Sequence, residues 1–188
     1  LTIGDGDINW AAARGADRTV VVTDAKTNVN SSVTGEILAA AIRRMNDVGV
    51  VLIGDSAWDY GVISALAGHL KWPAMFGVET VTKDGEDLIV TRKKDNVIQT
   101  FSVKEPILLA VSATRGEQNF PSMREVIAAR KKPVEELTVS KLGLQIKSNV
   151  KTIGTRVPEA SPAKIFADQD PFTSSNQLVA ALRDEGML

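Results

Sequence analysis

Two apolar runs, "RTVVVTD" (Arg18–Asp24) and "VGVVLIGD" (Val48–Asp55), constrain the fold more than any other feature of this chain. Both are rich in β-branched residues and neither alternates with polar positions, as expected of strands covered on both faces. Between them, "SSVTGEILAAAIRRMNDVG" places Val33, Ile37, Leu38, Ala41 and Met45 at helical spacing. Ser31 or Ser32 can cap that helix, and Gly49 follows its end. Strand, helix and strand in this order make a βαβ unit, which predicts an α/β fold with a parallel sheet.

The flanking text extends the unit. "DINWAAARGAD" reads as a further short helix stopped by Gly15, and another helix is predicted from Asp59 to Leu70, stopped by Pro73. "FGVETVTKDGEDLIVTRKKDNVIQTFSV" contains alternating segments separated by "KDGED" and "KKDN", which is antiparallel hairpin chemistry. "EPILLAVSAT" (Glu105–Thr114) returns to a buried strand, and a polar loop leads to a helix in "REVIAARKKP". From Val134 to Ser174 the text is strand-poor, and "SSNQLVAALRDEGML" closes as a capped helix with Leu178, Val179, Ala181 and Leu182 on one face. The expected architecture is a Rossmann-like parallel sheet with helices on both faces, an antiparallel hairpin excursion and a C-terminal arm ending in a helix. Its boundary is expected after Pro133: an α/β unit over 1–133 and an arm over 134–188 that wraps another surface.

Composition excludes several functions. The 188 residues include no cysteine, which removes a disulfide framework, thiol catalysis and Cys-ligated metal. A formal net charge of −1 gives no general pull toward nucleic acid or an anionic membrane. The absence of cysteine makes a cytoplasmic location the expectation, and the apolar runs are too short to span a bilayer. "LTIG" opens without Met and reads as the end of a strand, so a preceding segment is expected upstream.

Ligands of open α/β sheets bind beyond the carboxyl ends of strands, where helix N-termini offer free N–H groups to phosphate. "VGVVLIGDSAWDYGVIS" has that form. Gly54 and Gly61 permit close backbone approach, while Asp55 and Asp59 are suited either to ribose hydroxyls or to capping the helix. "TIGDGD" (Thr2–Asp7) ends the first strand in the same manner. Neither stretch is a Walker motif or a GxGxxG fingerprint. "GDGD" lacks the Glu that a calcium loop requires, so no metal site is expected. His69 is the only histidine and lies near a helix C-terminus; Trp10, Trp58 and Trp72 read as packing residues. No nucleophile or acid/base pair stands out, so chemistry intrinsic to the chain is not evident.

From Leu66 to Gly143 the motifs "LKWP" (Leu70–Pro73), "IVTR" (Ile89–Arg92), "KEPILLAVSAT" (Lys104–Thr114), "PSMREVIAARKKPV" (Pro121–Val134) and "KLG" (Lys141–Gly143) follow one another. In this order they resemble the β subunit of electron-transfer flavoproteins, including the nitrogen-fixation and carnitine-linked branch. "RGADRTVVV" and the C-terminal "QLVAALRDEGML" resemble family elements as well. The resemblance implies a heterodimer with an α subunit that holds most of an FAD site. Such a pair shuttles electrons between flavoprotein dehydrogenases and a quinone-linked or low-potential acceptor. It also implies AMP, or a second FAD, in this chain's α/β domain.

Carried over residue by residue, the nucleotide contacts fall on Asp59, Gly61 and Val62, with Gly54 and Asp55 from one strand end and Ile3 and Gly4 from another. The loop departs from the family's "DGDTAQVG" pattern: "SAWDYGVIS" is shorter and has no matching Thr or Gln. The family's partner-docking loop maps to Asn119–Ala128, its apolar anchor to Met123, and Arg130, Lys131 and Lys132 flank it with charge that can steer an acidic partner. The alternative reading is a nucleotide-binding or structural α/β module without flavin electron transfer.

Overall fold

The computed structural model describes residues 1–4, 8–25, 30–55, 60–112, 120–147, 150, 153–159, 163–167 and 170–188. In chain order the elements are β1 (Thr2–Ile3), α1 (Ile8–Ala13), β2 (Thr19–Val22), α2 (Ser31–Arg44), β3 (Val50–Gly54), α3 (Tyr60–Leu70) and β4 (Ala74–Asp84). They continue with β5 (Asp87–Lys94), β6 (Val97–Val103), β7 (Ile107–Val111), α4 (Met123–Ala129), β8 (Val134–Leu137) and α5 (Pro171–Asp184).

The predicted βαβ unit is β2–α2–β3. Its strands belong to two sheets rather than to one continuous sheet: β1-β2-β8, all parallel, and β3-β7-β4-β5-β6. In the second sheet β3, β7 and β4 run parallel, while β4-β5-β6 form the antiparallel excursion. The α/β class therefore holds, with the sheet divided and α2 serving both halves. Ile37 and Ala41 pack with Val20, Val22 and Leu137 under the first sheet. Ala39 and Ile42 pack with Ile63, Leu66 and Leu108 under the second. Large apolar side chains buried to this degree are each worth about 1.5–3 kcal/mol relative to exposure.

The helix α2 starts where Asn30 accepts a hydrogen bond from Ser32 N at 2.7 Å, so the cap is Asn30 rather than Ser31 or Ser32. It lies unusually close to α3. A Cβ on Gly35 would stand 2.7 Å from Ala65 Cβ and 2.7 Å from Leu66 N. A glycine inside a helix normally weakens it, but here the missing side chain lets two helices pack backbone to backbone.

Strand β8 lies in the segment read as strand-poor. It pairs in parallel with β2 from Thr19↔Val134 to Val22↔Leu137, and only Leu137 of its four residues is buried. The chain divides into two compact units, Leu1–Lys151 and Thr152–Leu188. In the second unit Asp170 caps α5 by accepting from Thr173 N at 2.9 Å, and Lys164 pairs with Glu185 at 2.7 Å. No residue of α5 is buried, and Phe172, Leu178 and Val179 are exposed.

Candidate functional site

The sequence-predicted nucleotide residues occupy two strand ends. On the first sheet, Ile3 ends β1 and packs against the β2–α2 core. Gly4 follows with φ +75, and its N–H donates to Val22 O at 2.9 Å, so the chain turns off the sheet at once. On the second sheet, Gly54 ends β3 opposite Val111, and a Cβ there would meet nothing within 4 Å. Gly54 thus leaves open space beside this strand end. Gly61 is exposed and Val62 half-buried in the first turn of α3. Asp59 lies outside the described residues, as do Trp58 and most of the loop.

Asp55 is held most firmly. Its N–H donates to Val111 O at 2.8 Å, and its Oδ2 accepts from Gly77 N at 2.7 Å. Gly77 has φ +68 and stands where β4 loses register with β7, between Met75 and Val78. A residue with a Cβ is strained at that angle, which is why glycine suits the position. The other carboxylate oxygen, Oδ1, is withdrawn from solvent and accepts no hydrogen bond; among the described residues no other buried side-chain polar atom lacks one. A buried acceptor without a donor is costly, so Asp55 Oδ1 is an acceptor position at which a donor would be stabilising. Beside it opens a cleft of about 390 Å³ lined by Asp55, Phe76, Gly77, Arg92, Lys93 and Lys94. Of these, only Arg92 fell in a quoted motif, "IVTR"; Lys93 and Lys94 continue it as a basic cluster closing the strand, and nothing in the sequence marked Phe76 or Gly77.

The predicted docking residues gather on α4. Met123 opens the helix and is 75% exposed. Ser122 caps it, accepting from Glu125 N at 3.4 Å while Glu125 Oε2 accepts from Ser122 N at 2.7 Å and from Ser122 Oγ at 2.7 Å. These bonds hold the Glu125 carboxyl below its usual range, the Ser122 side chain contributing most. Met123 therefore starts a fixed helix, with Phe120 and Ile127 exposed nearby. Arg130, Lys131 and Lys132 are all exposed, and Lys132 is also engaged in two hydrogen bonds. Its Nζ donates to Ala12 O at 3.0 Å and Ala16 O at 3.1 Å, tying the end of α1 to the α4–β8 connection. Just past α1, the Arg14 guanidinium lies 4.7 Å from the Trp10 ring centroid and 6.0 Å from that of Phe120. Trp10 is thus part of a cation–π stack beside the docking segment, an arrangement only tertiary structure reveals.

His69 sits in the last turn of α3, where its carbonyl accepts from Arg43, and Trp72 packs against the α3 core.

Comparison with known proteins identifies the family. The profile of the electron transfer flavoprotein domain matches residues 1–142. The chain belongs to the electron-transfer flavoprotein β-subunit family. An electron transfer flavoprotein subunit beta of Mycobacterium leprae is 27% identical over 184 residues, covering 93% of this chain and 69% of the relative. The Bos taurus and Homo sapiens β subunits are each 26% identical over 186 residues, covering 96% of this chain and 71% of theirs. The span of this chain that matches the profile runs from β1 through β8 and contains every site residue named above. Among its described residues, no helix is long and apolar enough to cross a membrane.

Proposed function

We propose that this chain is the β half of an αβ heterodimer that carries electrons between flavoprotein dehydrogenases and a downstream acceptor through FAD. The α subunit holds most of the FAD, and this chain completes the site. The segment after Lys151, with its exposed apolar residues Ile153, Val157 and Ile165, contacts the α subunit. An adenine nucleotide, AMP or a second FAD, sits at the strand ends around Ile3, Gly4, Gly54, Asp55, Asp59, Gly61 and Val62. Met123 anchors partner dehydrogenases, and Arg130 and Lys131 steer them.

The observation that carries the nucleotide assignment is Asp55. One of its oxygens is fixed by Gly77 N–H and the other is left without a donor, beside Gly54 and its open space.

On this reading the bound FAD supplies the redox chemistry when the heterodimer is assembled. This chain's own residues bind and orient. Gly54 lets the ligand approach the backbone, Asp55 takes a ligand hydroxyl, and the α4 face sets the distance to a docked partner.

The test is reduction of the heterodimer's flavin by a flavoprotein dehydrogenase supplied with its substrate, followed by absorbance. The proposal expects rapid bleaching of the oxidised flavin band. A folded, flavin-loaded complex that no dehydrogenase reduces would overturn the electron-carrier role.

A further inference from the structure

Trp10 and Arg14 have no role in the proposed function, yet they lie against the docking segment. Arg14 stacks on two rings at once: its guanidinium is 4.7 Å from the Trp10 ring centroid and 6.0 Å from that of Phe120. The rings are themselves 6.4 Å apart and inclined at 57°. Groups that meet pairwise in this way fix one another's direction, which a single contact would not. Trp10 nevertheless stays 42% exposed and Phe120 63%. A tryptophan that served packing alone would be covered further.

The face continues along α4. Phe120 lies just before the Ser122 cap, and Ile127 follows Met123 one helical turn later, on the same side of the helix. Met123 and Ile127 are exposed as well. Lys132 Nζ fastens the end of α1 to the α4–β8 connection through Ala12 O and Ala16 O, so α1 and α4 present one supported surface. Its cations are uncommitted: among the described residues no carboxylate is ion-paired with Arg14, Arg130 or Lys131. Glu125 lines the same cleft as Arg14, about 440 Å³ in volume, but its carboxylate is engaged by Ser122 N and Oγ.

We propose that α1 is part of the partner-docking face: Trp10 supplies apolar contact, and Arg14, held on Trp10 and Phe120, takes a carboxylate of the partner dehydrogenase. The inference rests on the docking role of Met123 and extends that face to a second helix. The partner chemistry that fits is a protein surface with an apolar patch rimmed by acidic residues. Aromatic residues, Met and Arg are the types enriched at the centres of such interfaces. A guanidinium already stacked on rings keeps N–H groups for a carboxylate, and less freedom is lost when it binds one.

The test is flavin reduction in the assembled heterodimer by a flavoprotein dehydrogenase, at varied heterodimer concentration and ionic strength. Trp10→Ala, Arg14→Met and Met123→Ala are compared with the parent, and the unfolding midpoint of each is measured. Trp10→Ala and Arg14→Met should each raise the half-saturating concentration about tenfold and leave the limiting rate unchanged. Arg14→Met should also flatten the salt dependence, which Trp10→Ala should not. Arg14→Lys, which keeps the charge without the planar fork, should restore the salt dependence and only part of the affinity. Arg14 is exposed, so its variants decide the case if Trp10→Ala fails to fold. If only Met123→Ala raises the half-saturating concentration, the extension to α1 is overturned while docking through α4 stands. If none of the variants does, both fall together.

Discussion

Replacing Gly35 by alanine should separate packing from propensity at the helix pair beneath the nucleotide end. On propensity alone the change stabilises a helix by about 1 kcal/mol. In place, however, the new Cβ would lie 2.7 Å from Ala65 Cβ, 2.7 Å from Leu66 N and 2.9 Å from Ala65 C. Comfortable carbon contacts begin near ~3.5 Å, so α2 and α3 must part by roughly 0.8 Å. Two of the three obstructing atoms are backbone, which no rotamer change moves. Overpacking of that kind costs about 3 kcal/mol, leaving a net loss of about 2 kcal/mol. For a chain of this size that lowers the melting temperature by roughly 4–8 °C.

Gly68→Ala is the control. It lies on α3 with nothing within 4 Å of its ideal Cβ, so propensity acts alone and stability should be unchanged or up to ~1 kcal/mol higher. Urea unfolding followed by tryptophan fluorescence measures both variants against the parent. If Gly35→Ala proves as stable as Gly68→Ala, the close approach of α2 and α3 is wrong.

Lys132→Met removes both hydrogen bonds to the end of α1 and should cost about 1–2 kcal/mol, measured by the same unfolding assay. Arg130→Met and Lys131→Met should change stability by under ~0.5 kcal/mol and instead slow reduction by a partner dehydrogenase at low ionic strength. Met123→Ala should slow that transfer without moving the unfolding midpoint, because the side chain is 75% exposed; unchanged kinetics in the folded variant would remove its docking role. The lowered Glu125 carboxyl gives α4 a pH dependence. Because its folded value lies below the unfolded one, it contributes stability above the ordinary glutamate range, and that contribution is lost as pH falls through the folded value. Ser122→Ala should return the Glu125 titration toward its ordinary position, as followed by NMR.

The elements legible in the sequence are those whose residues carry their own signal. β2 announced itself by an unbroken β-branched run, buried at all four positions, β4–β6 by alternation across the Asp84-Gly85 turn, and α5 by its amphipathic face. β3 is a strand as read, but it lies at a sheet edge with Leu52 exposed, so the expected cover on both of its faces does not hold. β8 escaped because it is an edge strand: Val134, Glu135 and Glu136 are exposed, so neither a buried run nor alternation marks them. Its pairing with β2, more than a hundred positions upstream, is a tertiary fact. Gly35 escaped for a similar reason, since a mid-helix glycine looks like a defect until the second helix is in place.

At the site, sequence motifs located the strand ends and the Met123 segment. They did not show that Gly77 would hold Asp55, or that Lys132 would donate to the carbonyls at the end of α1. Those contacts join residues 22 and 120 positions apart along the chain.

The central claim is that this chain forms one half of a flavin-carrying pair and holds a nucleotide of its own. Co-expression with the candidate α subunit, followed by measurement of flavin and AMP per purified heterodimer, tests it most directly. The account predicts either one flavin with one AMP, or two flavins, in a stable complex. A chain that purifies without complex, flavin or nucleotide would contradict it and leave a structural α/β module in its place.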